Sequence, residues 1–485
     1  MKRVVSLGLT TNPRPSAHRP QETIFSPHVE SVSSGRGRAE IFSHLKVTKF
    51  RIGQADEVAE IEQTVDPLPG THLESYYPRR PWYPDVLGRD VFVRDLTQIP
   101  TSELATEAAV IDLSKLGRQA ITAKDLEQAG SHVREGDMVL VRTGFSDQYY
   151  GTLPGLESYS NSPGFTMDAA QWLVDKKVNT VGIDFRHLEA PEVLANGGDM
   201  RVHEVFHINK IAIIEDVTRL GQLKGKRVFA ACGRPLKTRY LTGAATRLMA
   251  LEEGKLIDLS HPLSPRIEVG ADQGINRSEP FRFKSHIYKW MNIVDFNLWD
   301  FGMTAATGPQ LISYVNRLGT HLLSASTTDK IPIQWLFGRS EVIDLYHCGA
   351  SRLIDTRLLQ EALKNKTPEA LVVHTGFTDW YYDLDEFIDY SPSFTEDAAQ
   401  MLVDRGVKLL VVDIPVIDRQ IPSEGKEVEQ KALGCLLKND VLVVACAANM
   451  NLLRQRNLDI LVLPLPIAGL TSVPTDIIAV EEWLE

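Results

Sequence analysis

The sequence predicts an α/β protein built from two tandem copies of one domain. Three observations support this prediction: a repeated helical segment, short apolar strands that alternate with amphipathic helices, and a length of 485 residues, which suits two domains of ordinary size. The segment that begins at Pro163 recurs from Pro392, at an offset of 229 residues. Shorter matches precede it in the same order, and chance does not produce several ordered matches.

These shorter matches define the two halves of the chain. They pair residues 143–147 with 375–379, residues 111–113 with 343–345, and a Gly-Thr-His block at 70–72 with another at 319–321. We place the seam near residues 252–255, before a new strand that starts at Leu256. The predicted domains are therefore residues 1–250 and 251–485.

Strand and helix patterns alternate within each half. In the first half, β-rich apolar runs at 137–142, 180–184 and 211–215 predict strands, and residues 167–176 predict a helix with Thr166 as its N-cap. The second half repeats the strands at 370–373, 409–413 and 441–444. Strands that are apolar almost throughout indicate a sheet buried on both faces.

Composition excludes several classes of protein. The chain is 43% hydrophobic and 24% charged, with a net charge of −11 and no basic block, so a nucleic acid is not expected as a partner. No apolar run is long enough to span a bilayer, and no signal-peptide core follows Met1. Four cysteines without a CxxC motif predict neither a disulfide framework nor a cysteine zinc site. We expect a cytoplasmic protein that acts on a small molecule.

Two His–Glu pairs are candidate metal ligands. His72 and Glu74 are two residues apart, so in an extended segment they face the same side. His203 lies twelve residues before Glu215, which closes a predicted strand. Histidine and glutamate suit Zn²⁺ or Mn²⁺. On spacing alone, a histidine beside a glutamate is more often a surface hydrogen-bonded pair than a metal site.

An aromatic, proline-rich segment follows the first pair. Residues 76–84 contain three prolines and four aromatic residues and cannot extend a helix. The segment is either an exposed loop stiffened by proline or an aromatic wall for a ligand.

Taken together, these motifs resemble the cyclase family that includes bacterial kynurenine formamidase and isatin hydrolase. The resemblance rests on the strand at 257–264, the Gly-Thr-His and Thr-Gly-Phe blocks, the two Pro-x-Phe-Thr helix starts, residues 182–184, and residues 235–237 with Arg247. It implies a swivelling β/β/α domain that dimerises and uses a metal-bound water to hydrolyse an amide or a lactone. Two such domains in one chain would form an intramolecular pseudo-dimer, with further homo-oligomerisation left open.

The resemblance implies which residues hold the metal and the substrate. The ligands of one Zn²⁺ or Mn²⁺ would be His72, Glu74, His203 and Glu215. Two histidines of the family motif are replaced, one by Leu68 and the other by Pro78. The histidine that Pro78 replaces is the family's proposed proton shuttle. The candidate catalytic residues are His72, Glu74, Tyr76, Tyr77 and His207; the candidate substrate-binding residues are Arg79, Trp82, Tyr83 and Arg247.

The second half retains less of the motif. His321 matches His72, but the following ligand positions fall on Leu323 and Thr327, and the downstream pair falls on Leu433 and Ala445. Because a metal site needs several ligands, we predict that this half is catalytically silent.

Three functions follow from these residues. The first is a metal-dependent hydrolase that attacks an amide or lactone carbonyl. The second is a metal-free cyclase or dehydratase of polyketide- or peptide-type specialised metabolism, in which the tyrosines, His72 and Glu74 do the acid–base work. The third is a non-catalytic binding pseudoenzyme.

Overall fold

The two halves of the chain build two large sheets with helices packed on them. The structure is a computed structural model, and it describes residues 3–6, 25–30, 47–52, 59–63, 72–74, 96–149, 162–185, 188–190, 201–234, 243–260, 310–312, 314–315, 321–322, 330–346, 349–381, 390–418, 430–464 and 472–481. No helix in these ranges is long and apolar enough to cross a membrane.

Short strands make up most of the framework. Up to the seam and just beyond it, they are β1 (Arg3–Ser6), β2 (Phe25–Glu30), β3 (Val47–Ile52), β4 (Ala59–Gln63), β5 (His72–Glu74), β6 (Ala105–Asp112), β7 (Ala120–Ile121), β8 (Met138–Arg142), β9 (Gly164–Phe165), β10 (Thr180–Ile183), β11 (Ala212–Glu215), β12 (Arg227–Gly233), β13 (Gly243–Ala245), β14 (Arg247–Glu252) and β15 (Lys255–Asp258). The later strands are β16 (Gln310–Ile312), β17 (Tyr314–Val315), β18 (His321–Leu322), β19 (Phe337–Asp344), β20 (Leu353–Ile354), β21 (Ala370–His374), β22 (Ser393–Phe394), β23 (Leu409–Val412), β24 (Leu442–Ala445), β25 (Asn457–Pro464) and β26 (Ser472–Glu481).

The helices alternate with these strands. They are α1 (Thr101–Leu104), α2 (Ala123–Ala129), α3 (Phe145–Tyr149), α4 (Met167–Asp175), α5 (Arg201–Ile208), α6 (Thr356–Leu363), α7 (Phe377–Tyr381), α8 (Glu396–Asp404) and α9 (Lys431–Lys438). Single 3-10 turns occur at Leu96–Gln98, Leu220–Gln222, Ile333–Leu336 and Met450–Leu452. The helix predicted at 167–176 is confirmed as α4, which begins after Thr166. The six predicted core strands are confirmed as β8, β10, β11, β21, β23 and β24.

Each large sheet has four parallel strands at its centre. The first sheet runs β13-β5-β11-β10-β8-β6-β12-β14-β15, with β6, β8, β10 and β11 parallel. The second runs β1-β26-β16-β24-β23-β21-β19-β25, and β25 also pairs with β26, which curls the sheet. Parallel strands end at the same edge, so side chains that follow them are brought close together. The mixed α/β class and the tandem arrangement predicted from the sequence are confirmed.

The end strands are exchanged between the two sheets. Strand β1, from the start of the chain, pairs with β26 in the second sheet. Strand β15, from the start of the second repeat, pairs with β14 in the first sheet. The predicted seam is the turn between β14 and β15. The division into domains 1–250 and 251–485 stays a prediction about the sequence repeat.

Strand register corrects one predicted match between the halves. In the first sheet, His72 of β5 lies opposite Glu215 of β11; in the second, Gln310 of β16 lies opposite Ala445 of β24. Gln310 is therefore the structural equivalent of His72. The predicted match of His321 with His72 is wrong, because His321 lies in β18, which pairs with β17 in a separate ribbon.

Two apolar clusters hold the layers together. One lies between the first sheet and its helices and includes Val139, Phe165 and Leu173. The other contains residues of both halves, such as Leu248 of β14 and Leu461 of β25, where β12 and β14 pack against β25 and β26. The halves therefore share a core, because burial of apolar surface is continuous from one sheet to the next.

A buried aspartate organises the Thr-Gly-Phe turn in both halves. Asp184, after β10, accepts hydrogen bonds from the Thr143 N–H and hydroxyl at 2.7 Å each and from the Gly144 N–H at 2.6 Å. Asp413 makes the same three contacts with Thr375 and Gly376. Gly144 has φ of +80° and Gly376 has φ of +76°, values that a residue with a side chain rarely adopts. The repeated motif is therefore explained by a structural turn.

The Asp413 turn makes stability depend on pH. Burial raises the pKa of Asp413 from 3.8 to about 7, so the folded protein holds this proton to a higher pH than the unfolded chain does. The resulting stabilisation is complete below the unfolded pKa and is lost as the pH rises towards 7. We expect the unfolding free energy of wild type, minus that of Asp413→Asn, to fall as the pH rises over this interval, by up to about 1.4 kcal/mol per pH unit.

Denaturant unfolding at several pH values between 4 and 8 measures this difference. Asp459→Asn is the control, because Asp459 is part-exposed and pairs with Arg339 at the surface. A difference that stays constant with pH for Asp413→Asn would show that Asp413 does not titrate in this range.

Candidate functional site

The candidate site lies at the end of β11, where helix α5 meets the edge of the first sheet. His203 lies in the first turn of α5, and Glu215 is the last residue of β11. Both side chains are almost completely buried. Their ring nitrogen Nε2 and carboxylate oxygen Oε1 are 3.4 Å apart. The structure therefore brings together the downstream pair that the sequence predicted.

Glu189 holds the other side of the His203 ring. Its two carboxylate oxygens lie 2.8 and 2.9 Å from Nδ1 of His203, and one of them also accepts the His203 backbone N–H at 3.1 Å. Glu189 is fully buried. Sequence reasoning missed this residue. The available signal was a carboxylate at the same repeat position in both halves, because Asp418 lies 229 residues after Glu189.

The three side chains form a carboxylate–imidazole–carboxylate chain. Burial by itself would lower the pKa of His203, but the charges and hydrogen bonds of Glu189 and Glu215 outweigh it and raise that pKa well above its usual value. Glu189 keeps a proton on Nδ1, and in the charged form of the ring that this pKa favours, the Nε2 proton faces Glu215. The ring orientation is thus determined before any ligand binds.

The first predicted pair approaches this site through strand register. Strand β5 lies between β11 and β13, with His72 opposite both Glu215 and Ala245, and Glu74 opposite both Ile213 and Gly243. Directly opposite positions of an antiparallel ladder share a face of the sheet. The His72 position therefore lies on the same face as Glu215. The side chains of His72 and Glu74 lie outside what the structure describes.

The other predicted residues fall in different places. His207 is buried one turn after His203, with ring centroids 6.1 Å apart. Arg247 forms an ion pair of 2.6 Å with Asp258 and donates a hydrogen bond of 3.4 Å to the Pro464 carbonyl, between the halves. Its predicted role in substrate binding stays a prediction. The remaining candidates lie outside the described residues: Tyr76, Tyr77, Arg79, Trp82 and Tyr83.

The second half shows the same scaffold without the His–Glu pair. Asp418 accepts the backbone N–H groups of Ala432 and Leu433 at 2.8 and 2.9 Å, so it anchors the start of α9 as Glu189 anchors α5. Leu433 stands at the position of His203, and Ala445 at that of Glu215. The carboxylate next to the helix start is therefore part of the fold, and the imidazole contact is an addition of the first half.

Backbone strain beside Glu215 also belongs to the fold. Asp216 has φ of 53° and Cys446, its equivalent in the second half, has φ of 59°. Such values cost free energy in residues other than glycine and often mark active sites. Here the same conformation recurs in the half that lacks the His–Glu pair, so it reflects how the chain leaves β11 and β24.

Of the four predicted metal ligands, the structure describes the side chains of two, His203 and Glu215. Across all the residues that the structure describes, no group of three or more His, Cys, Asp or Glu is arranged to hold a metal ion. A complete site would need His72 and Glu74 to join His203 and Glu215. The donor types, imidazole nitrogen and carboxylate oxygen, fit Zn²⁺ and Mn²⁺.

Fold and site define a tandem α/β protein with histidine and glutamate gathered at the edge of one sheet. The Cyclase family model matches residues 42–190 and 257–419. The chain belongs to the Cyclase family, once in each half. A search of curated proteins finds no match.

Several solved structures are similar to parts of this chain. They include isatin hydrolase A from Ralstonia solanacearum, at 20% identity over 51% of this chain and 91% of that one, with a TM-score of 0.33. An isatin hydrolase bound to the product analogue thioisatinate is 19% identical over 36% of this chain and 72% of that one, with a TM-score of 0.32. A potential metal-dependent hydrolase with cyclase activity is 22% identical over 52% and 98%, with a TM-score of 0.31. Similarity at this level does not identify an activity.

Proposed function

We propose that this chain is a cyclase-family hydrolase that opens an amide or lactone carbonyl with one divalent metal ion held by the first half. The observation that carries the proposal is the buried contact between His203 and Glu215, with Glu189 fixing the imidazole. Membership of the Cyclase family supports an enzyme of this general type.

The site residues fit a metal ion. Glu189 would keep the proton on Nδ1 of His203, so Nε2, which faces the Glu215 carboxylate, is the nitrogen that would give up its proton to serve as a ligand. Carboxylates that accept the far N–H of a metal-binding histidine orient its ring and make it a better ligand. His203 and Glu215, with His72 and Glu74 from the neighbouring strand, would hold the ion. A bound Zn²⁺ or Mn²⁺ would supply Lewis-acid polarisation of the carbonyl and a more acidic water.

The protein itself contributes orientation and exclusion of water. Glu189, His203 and Glu215 are buried, so their electrostatic interactions act in a medium of low dielectric constant. His207 is the nearest described candidate for proton transfer, because it follows His203 by one turn of the same helix. Tyr76 and Tyr77 remain the alternatives for this role in the adjoining segment.

A second function is favoured by a specific feature of the sequence. Leu68 and Pro78 replace two histidines of the family motif, both of them metal ligands in the family and the second also its proposed proton shuttle. In a metal-free cyclase or dehydratase, the Glu189–His203–Glu215 chain would hold and move a proton beside the substrate. The two functions make opposite predictions about metal removal.

Metal removal therefore tests the proposal. The purified full-length protein is analysed for Zn and Mn and assayed against isatin, N-formyl aryl amines and simple lactones, before and after treatment with a chelator. We expect about one ion per chain, loss of hydrolysis on chelation, and recovery on adding Zn²⁺ or Mn²⁺. Full activity of the metal-free protein would establish the second function, and no turnover of any carbonyl substrate would favour a binding protein.

A further inference from the structure

The exchanged end strands occupy equivalent places in the two sheets. Val5 of β1 pairs with Ala479, and Ile257 of β15 pairs with Ala250. Positions 479 and 250 are equivalent at the repeat offset of 229, so β1 and β15 are the same strand of the repeat. Each one completes the sheet of the other half.

Each exchanged strand carries the polar partner of its host strand. In the first sheet, Arg247 of β14 forms an ion pair of 2.6 Å with Asp258 of β15. In the second sheet, the position of Arg247 is Asp476, and that of Asp258 is Ser6. The Ser6 hydroxyl donates a hydrogen bond of 3.1 Å to the Asp476 carboxylate. The two contacts are geometrically equivalent but chemically different.

Asp476 has a second partner that comes from the first half. It is fully buried and accepts the Arg234 backbone N–H at 2.9 Å, with the Arg234 guanidinium 3.8 Å away. Arg234 in turn donates to the carbonyls of Leu96 and Ile99. Asp476, in β26, therefore ties β1 and the residue that follows β12 to its own strand, across the two halves.

These chemistries are not interchangeable. If β15 lay beside β26, the Asp258 carboxylate would meet the buried Asp476 carboxylate, and like charges in a buried site are costly. If β1 lay beside β14, Arg247 would lose its ionic partner and keep only a serine. Strand β15 follows β14 through a turn of two residues, 253 and 254, so chain connection already favours that pair, whereas β1 has no such connection to β26. We propose that the Arg247–Asp258 and Asp476–Ser6 contacts are a pairing code that keeps β15 beside β14 and directs β1 to β26, so that the partner of each half is the other half of this chain.

The exchanged strand also braces the candidate site. The Thr218 N–H donates to the Leu259 carbonyl at 2.9 Å, and the Arg219 guanidinium donates to the carbonyls of Asp258 and Ser260. Thr218 and Arg219 belong to the loop that leaves Glu215. In the second half, Asn449 makes the equivalent contact with the Ser6 carbonyl at 3.2 Å. The half without the His–Glu pair thus contributes the segment that supports the loop beside it.

Hydrogen exchange on the full-length protein tests the code without reference to any activity. Asp258→Ser gives β15 the residue that β1 carries, and Ser6→Asp gives β1 the residue that β15 carries. We expect Asp258→Ser to speed exchange of the amides at 255–258 and 216–219 by about tenfold, the factor for one charge-assisted hydrogen bond. Ser6→Asp is expected to do the same at 3–6 and 476–480 and to lower the Tm.

Asp459→Ser is the matched control, since it removes a strand carboxylate from a more exposed ion pair with Arg339. The proposal is overturned if Asp258→Ser and Ser6→Asp change exchange no more than Asp459→Ser does, or if exchange rises evenly over both sheets. Should Ser6→Asp fail to fold, Ser6→Ala replaces it and must raise exchange at 3–6 more than at 255–258. The result is independent of the metal and substrate experiments.

Discussion

The variant His203→Asn is expected to lower kcat/KM for an amide or lactone substrate by at least about a hundredfold. Asparagine places an amide nitrogen near the position of Nδ1, so it can still donate to Glu189, but it has no atom at Nε2 to face Glu215. Loss of an outer carboxylate alone usually costs about 10- to 100-fold in metal affinity or activity, and removal of the ligand itself should cost more. Steady-state kinetics and the metal content of the variant measure the effect.

The second half provides a matched control for this substitution. His374 is also a buried histidine near a carboxylate, with Nδ1 3.6 Å from the Asp344 carboxylate. His374→Asn is the same chemical change outside the candidate site, and we expect it to leave kcat/KM within about twofold of wild type. Equal losses in both variants, or an active His203→Asn protein, would place the chemistry elsewhere.

The variant Gly164→Ser is expected to lower both stability and activity. A Cβ at Gly164 would overlap the carbonyl group of Glu189 and the amide nitrogen of Ala190. Because these are backbone atoms, the segment that carries Glu189 has to move, and the His203 ring loses its orientation. Overpacking of a buried site costs about 1–3 kcal/mol, so we expect a lower Tm together with a loss of kcat/KM of about tenfold or more.

The reciprocal change in the other half is the control for Gly164→Ser. Ser393 stands at the equivalent position and is buried at the start of β22. Ser393→Gly removes a side chain from a site that already accommodates one. It should therefore lower the unfolding free energy by only about 0.5–1 kcal/mol, as glycine in a strand typically does. A Gly164→Ser protein with wild-type Tm and activity would contradict the close approach of β9 to Glu189.

The sequence and the structure contribute differently to the repeat. The Thr-Gly-Phe and Pro-x-Phe-Thr blocks are matched correctly from the sequence, because each forms a local structure. The first is a turn held by Asp184 or Asp413, and the second is a helix start at Thr166 or Thr395. The Gly-Thr-His blocks are matched wrongly, because three residues in a segment of variable length carry too little information. Only the pairing of β16 with β24 shows that Gln310, and not His321, corresponds to His72.

The candidate site divides in the same way. Residue type and the twelve-residue spacing implied by the family resemblance identify His203 and Glu215, and Glu215 also closes a strand that the apolar pattern predicts. Glu189 escapes that reasoning, because its contact with His203 depends on how the loop after β10 folds against α5. No periodicity in the sequence encodes that contact, although Asp418 repeats the carboxylate.

By itself, the sequence determined the α/β class, the duplication and the replacement of His203 and Glu215 by Leu433 and Ala445 in the second half, because these depend on local patterns and residue identity. Tertiary structure alone decided which strands complete which sheet, that Glu189 orients His203, and that Arg247 pairs with Asp258 between the halves. The physical reason is that hydrogen bonds and ion pairs between distant segments depend on register and close packing. Apolar periodicity constrains which face of a strand is buried, but not which neighbour that strand has.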